Sequence, residues 1–149
     1  MTDSLHSPTS RLQTGFTWHA AFVGAAVGIA GPAYTGTLTS NVTTWLMVAN
    51  GRSLQEVYAY LGQYAFTLPM VLGFFSSVLF ALACGWVSAA YGRGSAISQG
   101  FVAGILAASF EVVMLLNPTS SPNPAYVVGG LLIQVFGSVA GAWVFRRTR

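Results

Sequence analysis

Side chains able to do chemistry are scarce in this chain, so their positions carry the argument. The 149 residues hold three carboxylates, Asp3, Glu56 and Glu111. Only Glu111 lies inside a long apolar run. A charge at the centre of a bilayer costs roughly 2.5–3.5 kcal/mol on insertion scales, so such a carboxyl is protonated, paired or beside water. Glu111 follows Gly104 by seven residues and Ala108 by three, which places it on their small-residue face if the segment is helical. Counted from the outer ends of their own apolar runs, Gln134, Ser76, Ser77 and Tyr34 fall at a similar depth. Gly31-Pro32 lies there too, and is expected to break its helix, because proline removes a backbone hydrogen bond and frees the carbonyl of Gly28. A polar layer of Glu111, Gln134, Ser76, Ser77 and Tyr34 beside a helix break at Gly31 and Pro32 is the candidate site. A carboxyl, an amide, hydroxyls and a free carbonyl suit protons, a cation or a small polar solute. The same groups also suit plain helix-to-helix hydrogen bonding, at about 0.6 kcal/mol per bond.

Other chemistries find little support. The single Cys84 permits no intrachain disulfide, and one thiol with two histidines cannot supply the roughly four ligands of a zinc site. His6 lies in a polar tail and His19 at the inner start of the first apolar run, so neither faces Glu111. Paired carboxylates, a Ser-His-Asp set and a glycine-rich phosphate loop are all missing. The expectation is a protein that is not an enzyme and carries no metal and no cofactor.

The elements that position Glu111 follow from composition. Hydrophobic residues make up 54% of the chain and charged residues 6%, against about 25% charged in a soluble domain. Roughly 20 mostly apolar residues cross a bilayer. Four runs qualify, at about 16–38, 68–91, 95–116 and 125–145. A tail over 1–15 precedes them. The turn Tyr91–Ser95 is tight and glycine-rich, and the Pro-rich stretch 117–124 separates the last two runs. Ser53 and Glu56 stand at capping-box spacing, which predicts a short helix over 54–66. Tyr58, Tyr60 and Tyr64 place it at headgroup level on the outer side. A single kinked helix running on into the second span is the alternative.

Arginine placement sets orientation. With the amino terminus inside, Arg11, Arg93, Arg146, Arg147 and Arg149 are inner and Arg52 alone is outer. Nucleic acid is therefore not an expected partner, despite the net charge of +3. The fold class expected is an all-α integral membrane protein with four transmembrane helices in an antiparallel bundle, plus the outer interfacial helix. The expected location is a bacterial inner membrane, with both termini cytoplasmic.

Small residues at spacing three or four mark the packing faces, since helices associate in lipid through close contact. These are Gly24, Gly28 and Gly31; Gly73, Ser77, Ala81 and Gly85; Gly100, Gly104 and Ala108; and Gly130, Gly137 and Gly141. Two function classes follow. The first is an accessory or scaffold subunit that packs through glycine faces into a homo-oligomer or a larger membrane complex. The second is a small oligomeric transporter or channel centred on Glu111.

Overall fold

A computed structural model describes residues 16–62, 67–116 and 124–149. The described residues form five helices: α1 (Trp18–Ala49), α2 (Leu54–Gly62), α3 (Leu68–Tyr91), α4 (Ala96–Leu115) and α5 (Pro124–Arg147). Four of them, α1, α3, α4 and α5, are long and apolar enough to cross a membrane. The expected tail over 1–15, the last residues of the expected 54–66 helix and most of the Pro-rich stretch lie outside the described residues.

Three of the four long helices match the expected runs to within a few residues. Proline opens two of them, Pro69 in the first turn of α3 and Pro124 at the head of α5, where its missing N–H costs nothing. Gly94, at φ +90°, makes the turn from α3 into α4.

The first helix departs from expectation. It runs to Ala49 rather than ending near Leu38. Its second half is rich in threonine, yet the hydroxyls of Thr35, Thr37 and Thr39 donate to the carbonyls of Gly31, Ala33 and Thr35, four residues back. These bonds satisfy the hydroxyls inside the helix without adding to its stability. Pro32 lies within it, and the helix runs on without a break. At the end of α1, Gly51 adopts φ +80°, while Gly51 N–H donates to Val48 and Arg52 N–H to Met47. That pair of bonds is the Schellman stop signal.

The short helix begins as its sequence requires. Ser53 N–H donates to Glu56 Oε2 at 2.9 Å, and Glu56 N–H donates to Ser53 Oγ at 3.3 Å. The backbone bond from Ser53, helped by Arg52 at 3.5 Å, holds the Glu56 carboxyl below its ordinary pKa. Val57 is fully buried and α2 rests against α1. Thr67 is extended, so α3 starts afresh and is not a continuation of α2.

Helices α3 and α4 form the waist of the molecule. Each touches the other, and both touch α1 and α5. The buried residues gather at one end, here called the base, where α1 and α4 start and α3 and α5 finish. In α1 they are confined to Ala20–Gly31, and none lies between Pro32 and Ala49. The distal half is more open.

Glycine makes the basal half tight. A Cβ at Gly24 would stand 2.6 Å from the Cys84 carbonyl oxygen and 2.7 Å from Ser88 Cβ. A Cβ at Gly100 would stand 2.7 Å from the Ser138 carbonyl oxygen, and one at Gly137 2.7 Å from Ala81 Cβ. At Gly85 and Gly141 it would run into the carbonyls of Ser138 and Leu82. These helices meet backbone to backbone. Gly73, by contrast, has nothing within 4 Å of its Cβ position among the described residues, so the packing face expected of it makes no close contact there.

Candidate functional site

The expected polar layer separates on the structure into a seam between α4 and α5 and a set of groups that lie elsewhere. Glu111 is half-buried on α4, and its Oε2 lies 3.1 Å from the Cβ position of Gly130 on α5. Gln134 follows Gly130 by four residues, about 6 Å along the helix. It is only 2% exposed. Its backbone carbonyl accepts the Ser138 hydroxyl at 2.6 Å and stands 3.1 Å from the Cβ position of Gly104. Gln134 thus meets α4 through its backbone, one turn from Glu111, while its amide turns toward Gly28 of α1.

The remaining groups do not join them. Ser76 and Ser77 both donate to the carbonyl of Gly73 at 2.9 Å, so their hydroxyls are spent on their own helix. Tyr34 is 72% exposed and points away from the interior. The expected break at Gly31 and Pro32 is absent, and Gly31 instead lodges the ring of Phe80. Pro32 still brings no N–H to the Gly28 carbonyl. The amide of Gln134 lies against Gly28, and a Cβ there would also meet Cys84 Sγ at 3.3 Å. Gln134 Nε2 has no hydrogen-bond partner among the described residues.

A second polar group lies at the base and was not anticipated. Gln99 is 1% exposed, and its Nε2 donates to the Arg93 carbonyl at 3.0 Å. Ser88 Oγ donates to the Gln99 carbonyl at 2.9 Å, and Arg93 N–H donates to Thr17 Oγ1 at 3.0 Å. Together these tie the head of α1 and the α3–α4 turn. The signal for them is spacing: Ser88 stands four residues after Cys84, and Ser138 four after Gln134. Both serines continue a face already lined by glycine.

Chemically the seam is poor. Among the described residues no three His, Cys, Asp or Glu side chains gather as metal ligands. His19 is exposed near the base, far along α1 from Pro32 and the distal half. An open groove of about 390 Å³ between α1 and α4 is lined by Phe22, Ala25, Ile29, Leu106, Phe110 and Val113, an apolar wall.

No protein-family model, curated protein or solved structure matches the chain. The functional reading therefore rests on the residues and their packing.

Proposed function

We propose that the chain is an integral membrane scaffold or accessory subunit, an antiparallel four-helix bundle that docks into a homo-oligomer or a larger membrane complex. Both termini face the cytoplasm of a bacterial cell, α2 lies at the outer headgroup level, and the bilayer surrounds the rest. The observation that supports this reading best is the closure of the basal half on itself. Gly24, Gly85, Gly100 and Gly141 bring backbones into contact there, leaving no room for a solute between the helices. The broad apolar exterior suits lipid: Phe22, Phe75, Leu79, Leu132 and Phe136 are all exposed.

The partner surface is placed in the distal half. The glycines that the basal half uses are spent within the chain. Among the described residues, Gly36, Gly73 and Gly129 have nothing within 4 Å of their Cβ positions and offer close-approach sites to a helix of another chain. Cross-linking in native membranes tests this. Gly73→Cys in a Cys84→Ser background is expected to form a disulfide-linked dimer or a heavier adduct, whereas Val23→Cys, on the lipid face near the base, does not. Absence of any adduct at position 73, or equal adducts at both positions, overturns the reading.

A second reading, transport of protons, a cation or a small polar solute, draws on Glu111 alone. Its carboxyl stands where the closed base gives way to the open distal half. Proteoliposomes that carry a flux abolished by Glu111→Gln would favour it over the scaffold.

A further inference from the structure

We propose that the basal end of α5 is a binding surface for anionic phospholipid headgroups. This rests on the membrane reading above and deepens it by naming the lipid class. The last turn of α5 carries Arg146 and Arg147, and Arg149 follows two residues later. All three are exposed. Two of them are held in place by aromatic rings: the Arg147 guanidinium lies 3.9 Å from the Trp143 ring centroid, and that of Arg149 4.8 Å from Phe145. Phe145 is itself set edge-on against Trp86, at 5.7 Å between centroids.

This arrangement differs from loose surface charge in two respects. Stacking occupies the face of a guanidinium and leaves its N–H edge free, and that edge matches the paired oxygens of a phosphate. The rings also set the height. Trp86 and Trp143 are both partly exposed near the ends of their helices, where amphipathic indoles mark the boundary between hydrocarbon and headgroups. Guanidiniums stacked on that belt stand at phosphate level. Arg93, in the turn at the same end, adds a fourth positive charge. Among the described residues the one arginine–carboxylate pair is Arg52 with Glu56 at the head of α2, and none of the basal arginines is paired with a carboxylate.

The test uses the full chain in two steps. Membranes washed with carbonate are first assayed for the protein. The purified protein is then equilibrated with equal amounts of phosphatidylglycerol and phosphatidylcholine in mild detergent, and the lipids retained are counted by native mass spectrometry. The wild type is expected to retain phosphatidylglycerol selectively, with the preference falling about fivefold for each of Arg146, Arg147 and Arg149 changed to Gln. The Arg147→Lys, Arg149→Lys double variant keeps the charge and loses the stacked fork, and is expected to fall between wild type and the Gln variants. Equal retention of both lipids by the wild type overturns the inference while the membrane reading stands. So does an unchanged preference in the Gln variants, or displacement of the lipid by a short RNA duplex. Loss of the protein in the carbonate wash overturns the membrane reading itself.

Discussion

At the scale of single residues, what a side chain costs depends on the neighbour it faces. Gly85 and Gly73 sit on the same helix twelve residues apart and illustrate this. Gly85 abuts the Ser138 carbonyl of α5, and Gly73 faces open space. Gly85→Val forces α3 away from α5 and is expected to lower stability by about 3 kcal/mol or to prevent folding. Gly73→Ala is expected to leave the melting temperature unchanged or raised, by up to about 1 kcal/mol, since alanine favours helix over glycine. Melting of the two variants in one detergent decides the matter. Gln134 makes a different point. Its buried Nε2 has no hydrogen-bond partner among the described residues, only the thiol of Cys84 nearby, and a lone buried donor costs about 1–3 kcal/mol. Methionine has similar length and volume and no donor. Gln134→Met is therefore expected to raise the melting temperature. A clear fall would show that the amide serves a bound group.

At the scale of elements, the fold was legible wherever apolar length alone decides. Runs of about 20 apolar residues correctly announced α3, α4 and α5, and the Ser53–Glu56 pair announced the start of α2. The end of α1 was not legible. The first apolar run ends near Leu38, yet α1 goes on to Ala49 through a threonine-rich stretch whose hydroxyls bond to carbonyls four residues back. The candidate site was half legible. Counting along helices put Glu111 and Gln134 near one another, and Glu111 does face α5, but the Gln134 amide turns to Gly28 of α1. The direction of a side chain around the helix depends on the neighbours, so counting could not tell that Tyr34 is exposed or that Ser76 and Ser77 bond to their own helix. Gln99 and Ser88 were overlooked because their bonds run to backbone carbonyls, and only the position of Ser88 on a small-residue face hints at them. Pro32 offers a check at this scale. Proline in a helix interior costs about 3 kcal/mol, and α1 accommodates it without a break. Pro32→Ala returns an N–H to the Gly28 carbonyl and is expected to raise the melting temperature while circular dichroism keeps its helical content. A lower melting temperature would mean that Pro32 shapes a contact the bundle needs.

At the scale of the whole molecule, two halves differ in kind. The base is shut by glycine contacts and tied by the Gln99, Ser88 and Thr17 bonds, while the distal half leaves small residues and large apolar side chains uncovered. A subunit that holds itself together at one end and presents surface at the other is suited to joining something else. The sparse charges agree with that division, for the stacked arginines lie at the base and the Arg52–Glu56 pair at the distal tip. The proposed role as a docking subunit has one plain consequence, which is that the chain does not work alone. The most direct measurement is the intact mass of the complex released from native membranes in mild detergent. The expected result is a particle heavier than the 15.7 kDa chain, either a multiple of it or the chain bound to another membrane protein. A particle of one chain only, fully folded and active in solute flux, would contradict the scaffold.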